Sequence, residues 1–178
     1  YDFNPGWRFF KGDISGAETV NFDDRSWEVV STPHTVELMP AEASGCRNYQ
    51  GPVWYRKHFV VPAETKGQRV SIHFEAAMGK QILYLNGKRI QEHIGGYLPF
   101  TLDLTTYGVQ AGDSCLLAVF VDNSDDKSYP PGKRQYTLDF TYHGGIYRDV
   151  WMIAKSPISI TDAIESQTVA GGGVFVHF

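Results

Sequence analysis

One acidic residue near the end of the chain stands in a setting that could do chemistry. Residues 137 to 150 read TLDFTYHGGIYRDV, and Asp139 lies among apolar and aromatic residues, shortly before a histidine and a glycine pair. A carboxylate in this setting can transfer a proton to a substrate, accept hydrogen bonds from a ligand, or cap a local turn, here at Thr141-Tyr142. The elements that hold the residue must decide between these three roles.

Two histidines and one acidic cluster are further candidates. His34 follows Pro33 and is interpreted as a hydrogen-bonded structural histidine, because no pattern of partners accompanies it. His143 lies beside the glycine pair and is a candidate for the wall of a ligand pocket. The run DNSDD at Asp122–Asp126 could bind Ca²⁺, but it lacks the spaced ligands and terminal glutamate of an EF-hand loop. A solvated loop explains it better, so neither a metal site nor a cofactor is predicted.

The composition is that of a globular chain, and it argues against some partners. The 178 residues, with 42% hydrophobic and 14% aromatic side chains, suffice for one domain with a continuous core and the beginning of a second. The net charge of −4 and the lack of clustered basic residues argue against a nucleic-acid partner. No apolar stretch approaches the roughly 20 residues that span a membrane, so no membrane partner is predicted.

The compartment stays open on sequence grounds. The start, YDFNPGWRFF, lacks a charged segment followed by an apolar one, so no signal peptide is visible. An extracytoplasmic location, periplasmic or secreted, is the working hypothesis. Cys46 and Cys115 are too widely spaced for a metal pattern and too few for a disulfide framework, and both are predicted to be free thiols.

Short strands separated by turns follow one another along the chain, and helix signals are nearly absent. Asn86-Gly87 predicts a type I′ hairpin turn between Ile82–Leu85 and Lys88–Gln91. A single helical turn is expected within Leu104–Val109. Many short strands without alternating helices indicate an antiparallel β-sandwich or barrel. The other predicted strands are Val53–Val61, Arg69–Glu75, Phe100–Leu104, Leu116–Asp122 and Tyr147–Ala154.

Large aromatic residues on these strands are expected to fill the core rather than stack on a ligand. They occur on strands whose apolar residues alternate, which is typical of side chains that pack between or against sheets. The aromatic residues assigned to the core are Trp54, Tyr55, Phe59, Phe74, Tyr84 and Trp151.

Two long loops and the tail depart from this regular pattern. Ser31–Gly51 and Asn123–Leu138 have no sustained periodicity, and loops of that length in a compact domain are usually functional or disordered. Both are predicted binding surfaces. Beyond a break at Lys155–Pro157, Ile158–Ile164 and Gly171–Phe178 are expected to be strands. Since two strands cannot bury a core, residues 156–178 are predicted to be a linker and the start of a second domain.

Several stretches stand in the order of one known family. The chain resembles the N-terminal sugar-binding, jelly-roll domain of glycoside hydrolase family 2, which holds the β-galactosidases, β-glucuronidases and β-mannosidases. The resemblance covers roughly residues 5 to 155, and agreement across so many motifs is more specific than any one of them. The stretches that carry it are FDDRSW (22–27), TPHT (32–35), VWYRKHFVVP (53–62), LYLNGKRIQEHIGGYLPFTLDLT (83–105), VDN (121–123) and GGIYRDV (144–150).

The resemblance implies an all-β antiparallel sandwich, a galactose-binding-domain-like jelly roll over residues 1–155, followed by the first strands of an immunoglobulin-like domain. Family members hydrolyse β-glycosides with retention, and both catalytic glutamates belong to a C-terminal TIM barrel. This chain of 178 residues is too short to contain a TIM barrel, which needs about 250 residues. The chain is therefore expected to be an accessory domain, inactive alone, whose partners are the terminal sugar of a β-glycoside and the other domains of a parent enzyme.

The resemblance also implies which residues contact the sugar. In the galactosidase and glucuronidase branches an aspartate before the GGIYRDV-like strand contacts the terminal sugar, directly or through a cation, and Asp139 matches it without a gap. A sugar-contacting asparagine of the family falls on Gln50 by an ungapped count, whereas Asn48 has the matching side chain. Asn48, Tyr49 and Gln50 are thus candidates for either sugar contact or loop structure.

Alternative functions remain open on sequence grounds. FNPGWRFFKGD and FDDRSW look more like the β-galactosidase branch, whereas YQGPVWYRKHFVVP, HIGGYLPF and YPPG also look like the β-glucuronidase branch. A free-standing carbohydrate-binding module would share the architecture, but it has no reason to continue into Ile158–Phe178. A purely structural interaction domain is the third alternative, and it predicts that Asp139 is dispensable for turnover.

Overall fold

The computed structural model is a sandwich of two antiparallel β-sheets. It describes residues 1–39, 48–140, 143–166, 168–174 and 176–177. The strands are β1 (Trp7–Lys11), β2 (Glu28–Val30), β3 (Pro52–Val60), β4 (Arg69–Phe74), β5 (Lys80–Leu85), β6 (Lys88–Ile94), β7 (Phe100–Asp103), β8 (Ser114–Asp122) and β9 (Val150–Lys155). Three single-turn 3₁₀ helices, Ala63–Thr65, Thr105–Tyr107 and Gln135–Thr137, and a short α1 (Ala163–Ser166) complete the described elements.

The larger sheet has the order β2-β1-β3-β8-β5-β6, with its two longest strands at the centre. β3 and β8 pair over nine residues, from Pro52 opposite Asp122 to Val60 opposite Ser114. Alternate residues of β8, such as Val119 and Val121, face the second sheet and are fully buried. Those between them pack against loops on the outer face, which explains why β8 is an almost continuous apolar run.

The smaller sheet, of order β7-β4-β9, covers the inner face of the larger one. Val70, Ile72 and Phe74 of β4 are buried in the shared core, as their alternation predicts. Phe74 stacks on Phe100 of β7 with ring centroids 4.7 Å apart. Fully burying each such side chain contributes about 1.5–3 kcal/mol, so this layer supplies much of the driving force for folding.

The predicted hairpin and helical turn are confirmed. Asn86 and Gly87 have φ of 50° and 82° between β5 and β6, so both central residues have the positive φ that a type I′ turn requires. The single 3₁₀ turn falls within the predicted segment. The five other predicted strands correspond to β3, β4, β7, β8 and β9 within a few residues at each end. The predicted all-β antiparallel sandwich is therefore confirmed.

Sequence reasoning missed β1 and β2 at the edge of the larger sheet. β2 has only three residues, too few for a visible alternation, and β1 carries the aromatic-rich sequence WRFFK. Of the aromatic residues assigned to the core, Trp54, Tyr55 and Phe74 are buried, and Phe59 and Tyr84 pack against buried clusters. Trp151 is an exception, with 38% of its surface exposed, because it points to the outer face of β9.

The strand prediction for Ile158–Ile164 is wrong. Residues 156–162 contain no strand, and Ala163–Ser166 form the short helix α1. Ile158 and Ile160 are 92% and 68% exposed, and no strand of the described residues pairs with this segment to satisfy its backbone groups. In the described part of Gly171–Phe178 no strand occurs either, and the two-domain division of the chain remains a prediction.

Cys115 is buried and free, as predicted, whereas Cys46 lies outside the described residues. Burial raises the pKa of the Cys115 thiol, which is consistent with an inert core residue. Among the described residues, no helix is both long enough and apolar enough to cross a lipid bilayer.

Candidate functional site

The loops that carry the candidate residues meet at one end of the sandwich. At this end β8 ends and β3 and β5 begin, since Asp122 pairs with both Pro52 and Lys80. β4 ends there opposite the first residue of β9. We call this end the loop end; it consists of segments 48–51, 76–79, 95–99 and the described part of 123–149. The connections between these strands therefore bring residues that are distant in sequence to one surface.

The buried residue Asn123 connects the loop before β3 with the loop after β8. It follows the last residue of β8 and is only 2% exposed. Its Oδ1 accepts a hydrogen bond from the Gly51 backbone N–H (3.0 Å), and its Nδ2 donates one to the carbonyl of Tyr49 (2.9 Å). Its own carbonyl accepts a hydrogen bond from Gln135 Nε2 at 2.9 Å. The loop before β3 and the loop after β8 are thus joined at one residue.

The glycine pair is held from below by the core. The Tyr55 hydroxyl lies 2.8 Å from His34 Nδ1 and 3.4 Å from the backbone nitrogen of Ile146, which donates to it. A side chain at Gly145, where φ is +97°, would approach the Tyr55 oxygen to 2.4 Å. Burial raises the pKa of Tyr55, so its hydroxyl keeps its proton and donates it to the imidazole. Only glycine fits this turn.

His34 is the structural histidine that the sequence indicates. It packs against Phe9 with ring centroids 4.6 Å apart, and burial lowers its pKa, so the neutral ring accepts the Tyr55 hydrogen bond. Its backbone N–H also donates to the carbonyl of Ile146 at 2.8 Å. The TPHT segment (32–35) is therefore hydrogen-bonded to the start of the GGIYRDV segment (144–150).

Asp139 lies on the exposed surface of the loop end, directly after two buried anchors. Gln135 is 4% exposed and donates its backbone N–H to Asp125 Oδ1 at 3.0 Å, while Leu138 packs against Met78 and Tyr147. Asp139 itself is exposed. The carboxylate is thus carried by a short, anchored segment and faces outward. The turn at 141–142 that it would cap lies outside the described residues.

The three candidates before β3 differ in their surroundings. Gln50 is exposed and donates from Nε2 to Asp125 Oδ1 at 2.7 Å. The Tyr49 hydroxyl donates to the Pro52 carbonyl at 2.7 Å, and Lys11 Nζ lies 4.6 Å from the centre of its ring. The polar side-chain atoms of Asn48 are buried and have no hydrogen-bond partner among the described residues. Tyr49 is thus fixed within the loop, whereas the amides of Asn48 and Gln50 have capacity for further bonds.

The acidic cluster and His143 make hydrogen bonds within and between the loops. Asp122 Oδ1 accepts hydrogen bonds from the backbone and hydroxyl of Ser124, and Asp126 Oδ1 does the same for Ser128. His143 Nδ1 lies 3.3 Å from the Thr35 hydroxyl. The contacts of the two aspartates are those of turn residues, whereas the His143 contact joins two segments that are distant in sequence. Within the described ranges, no three His, Cys, Asp or Glu side chains are grouped as a metal site would require.

Exposed aromatic side chains occur on the loop end, two of them close to Asp139 in sequence. Tyr136 and Phe140, on either side of it in sequence, are 56% and 45% exposed. Tyr97 is 43% exposed, and the neighbouring Gly96 carbonyl accepts a hydrogen bond from the Tyr147 hydroxyl. Exposed aromatic rings beside polar groups are typical of surfaces that bind a sugar or another protein.

The structure therefore brings the loop containing Asn48, Tyr49 and Gln50 against the loop that leads to Asp139. Asp125 makes this contact directly, because it accepts hydrogen bonds from both Gln50 and the Gln135 backbone. Sequence reasoning included Asn123 and Gln135 in a predicted binding loop, and Asn123 in the VDN motif, but gave neither residue a role of its own. The signal available for Asn123 was its amide directly after a buried apolar strand, a position where a side chain can satisfy loop backbone groups.

Comparison with known proteins identifies related domains over most of the chain. The family model for the sugar binding domain of glycosyl hydrolases family 2 matches residues 10–157. A β-galactosidase of Thermoanaerobacter pseudethanolicus is 37% identical over 161 residues, covering 90% of this chain and 21% of that protein. A β-glucuronidase of Formosa agariphila is 33% identical over 175 residues, covering 90% of this chain and 17% of the relative.

Solved structures give the same result. The Bacteroides uniformis β-glucuronidase 2, covalently bound to cyclophellitol-6-carboxylate aziridine, superposes with a TM-score of 0.76 at 33% identity. The match covers 88% of this chain and 18% of that structure. The chain thus spans about a fifth of the length of these relatives.

Proposed function

Because the chain belongs to the sugar-binding domain family of the glycosyl hydrolases of family 2, we propose that it is the N-terminal, non-catalytic domain of a retaining β-glycosidase. In this proposal the loop end extends a sugar-contacting loop into an active site housed in a TIM barrel, with an immunoglobulin-like domain between the two. Retaining hydrolysis needs two carboxyl groups about 5–5.5 Å apart across the sugar, and both are assigned to the barrel.

The observation that carries the proposal is the outward-facing Asp139 on an anchored loop. A carboxylate accepts hydrogen bonds from two neighbouring hydroxyls at once, and these are stronger than bonds to a neutral acceptor. Buried anchors at Gln135 and Leu138 limit the freedom of the loop, so less entropy is lost on binding. The exposed amide of Gln50 is on the neighbouring loop and supplies a further polar group for a hydroxyl-rich ligand, whereas the polar atoms of Asn48 are buried and would have to be uncovered for a sugar contact.

The sugar is proposed to be a galactoside or a glucuronide. The β-galactosidase relative favours the first at 37% identity, and the β-glucuronidase relative and the superposed structure favour the second at 33%. We place β-galactoside hydrolysis first, in agreement with the motifs at the start of the chain. Turnover of p-nitrophenyl β-galactoside against p-nitrophenyl β-glucuronide by the full-length chain that carries this domain decides between them.

Asp139→Asn in that full-length chain tests the contact. Losing a charged hydrogen-bond acceptor for the sugar costs about 1.5–3 kcal/mol, which corresponds to a fall in kcat/KM of roughly 10- to 150-fold. The midpoint of thermal unfolding should not change, because Asp139 is exposed. Steady-state kinetics with the aryl glycoside that is hydrolysed provide the measurement.

Asp113→Asn is the matched control. Asp113 is also an exposed loop aspartate, but it precedes β8 and therefore lies at the opposite end of the sandwich. It should leave kcat/KM unchanged. If the two variants have the same kinetics, Asp139 does not contact the sugar and the domain serves only as a structural support.

A further inference from the structure

The polar groups proposed to contact the sugar occur on two loops that are joined by few side chains. Residues 48–51 precede β3, and residues 123–139 follow β8. A sugar held by both loops requires their separation to be fixed, because a displacement of about 1 Å can lower a rate 100-fold. A residue that sets this separation would influence sugar binding without contacting the sugar.

Asn123 has the contacts for such a role. Its side-chain amide holds the loop before β3 through the Gly51 N–H and the Tyr49 carbonyl, one bond on each side of Gln50. Its backbone carbonyl holds the loop after β8 through Gln135 Nε2. Both of these side-chain hydrogen bonds are to backbone groups, so they fix the path of the chain rather than the position of a flexible side chain.

Two glycines pack closely against Asn123. A methyl group at Gly144 would approach Asn123 Nδ2 to 2.5 Å, and one at Gly79 would approach Asn123 Cα to 2.9 Å. The glycine pair and the turn before β5 therefore lie in direct contact with Asn123. The segment that begins at Gly144 comes shortly after the loop that carries Asp139. Asn123 therefore also contacts the chain on the far side of Asp139.

We propose that Asn123 is a positioning residue for the sugar site: its amide fixes the loop bearing Asn48 and Gln50 relative to the loop bearing Asp139. This inference rests on the proposed function. Asn123 is 2% exposed, so its effect is exerted through the backbone of Tyr49 and Gly51 and not by contact with substrate.

Asn123→Ala and Asn86→Ala form a matched pair for the test. Asn86 Oδ1 also accepts one backbone hydrogen bond, from Leu116 at 2.8 Å, but it lies in the hairpin turn at the opposite end of the sandwich. Both variants lose an acceptor for one buried or half-buried backbone N–H. Only Asn123→Ala should raise the KM for the p-nitrophenyl glycoside, by about 10-fold or more, with a smaller change in kcat. Asn86→Ala should leave KM within about twofold of the wild-type value.

Amide hydrogen exchange in the same full-length chain reports the loop directly. The Gly51 N–H should exchange at least about 10-fold faster in Asn123→Ala and at the wild-type rate in Asn86→Ala, because only the first variant removes its acceptor. The Leu116 N–H should show the opposite pattern.

Asn123→Asp supplies a conservative variant that keeps the shape of the side chain. The carboxylate still accepts from Gly51 but cannot donate to the Tyr49 carbonyl, whereas the protonated acid can do both. Burial raises the pKa of a carboxyl group at such a site. The ratio of the variant KM to the wild-type KM should therefore fall as the pH is lowered from 7 to 5, an effect that loss of stability would not produce.

The outcomes separate this inference from the proposed function. If Asn123→Ala changes KM no more than Asn86→Ala, or if Gly51 exchange is unaffected, Asn123 does not position the loops, whatever Asp139 does. If Asp139→Asn has no effect on turnover, the proposed contact is wrong, and the KM and Gly51 exchange of Asn123→Ala still decide whether Asn123 sets the loop that bears Asn48 and Gln50.

Discussion

Arg56 shows, at the scale of a residue, how a charge is accommodated at the centre of a buried strand. Its guanidinium is fully buried and donates to Asp24 Oδ2 at 2.7 Å and to the carbonyls of Ala17, Thr19 and Phe22. The segment between β1 and β2 is thereby held against the outer face of the larger sheet. A planar guanidinium with five donors suits such a set of acceptors.

Arg56→Met should lower the free energy of unfolding by about 3–5 kcal/mol, because it leaves the buried Asp24 carboxylate with only the exposed His58 as a partner and removes the donor of three backbone carbonyls. Arg25→Met is the matched control, since Arg25 makes a similar pair with Asp23 in full contact with solvent. That variant should have wild-type stability. Urea unfolding followed by tryptophan fluorescence measures both, and equal stabilities would mean that the Arg56 network is energetically neutral.

The protonation of His34 makes the stability of the domain depend on pH. Burial lowers the pKa of His34, opposed by the charge of Glu28, and His93 is similarly affected by burial. Histidines with a lowered pKa bind protons more weakly in the folded state, so stability is complete above about pH 6.5 and is lost as the pH falls below it.

His34→Gln should therefore reduce the pH dependence of unfolding between pH 7.5 and 5.5. Each histidine contributes a slope of at most about 1.4 kcal/mol per pH unit, and the variant should lose the share that belongs to His34. Glutamine stays uncharged over this pH range, so the variant removes the titration while it keeps a polar side chain at this position. The measurement is the free energy of unfolding of both proteins at several pH values. If its slope against pH is the same in both, the pH dependence does not come from His34.

At the scale of elements, two glycines with positive φ have different importance. Gly87 (φ +82°) completes the hairpin turn, and an added methyl group there would be 3.7 Å from its nearest neighbours. Gly145 (φ +97°) lies over the Tyr55 hydroxyl, and an added methyl group would be 2.4 Å from it. The first position requires only the conformational freedom of glycine, whereas the second also requires its small size.

Gly87→Ala should cost about 1–2 kcal/mol, the strain of a left-handed conformation. Gly145→Ala should cost more, about 3 kcal/mol or above, since displacement of Tyr55 or the glycine pair adds to that strain. Urea unfolding at pH 7.5 compares the two variants. If both variants lose the same free energy of unfolding, the loop end accommodates the added methyl group at Gly145 and the steric argument is wrong.

At the scale of the whole molecule, the β-sandwich carries its candidate binding groups at one end. The relatives are about five times longer, and the chain matches only their sugar-binding domain. Under the proposed function, one loop carboxylate and a few amides would not offset the cost of holding a monosaccharide. On that proposal the domain should bind sugar only together with the other domains of the parent chain.

The isolated 178-residue chain should hydrolyse neither p-nitrophenyl β-galactoside nor p-nitrophenyl β-glucuronide. It should bind galactose or glucuronate no more tightly than millimolar, measured by calorimetric titration. Cleavage by the isolated chain would refute the accessory role. A micromolar Kd would instead indicate a free-standing carbohydrate-binding module.

The sequence by itself determined the fold class, most strands, the hairpin at Asn86-Gly87 and the family, because local alternation, turn chemistry and motif order are written in neighbouring residues. It could not show the short edge strands β1 and β2, the exposed side of Trp151 or the helix in the tail, since these depend on which surfaces a strand finds to pack against. Only the tertiary structure brought Asn123 beneath Tyr49, Gly51 and Gly144. The hydrogen bonds to Tyr49 and Gly51 join residues more than 70 positions apart, and no local pattern encodes which loop a side chain will meet after the sheets have closed.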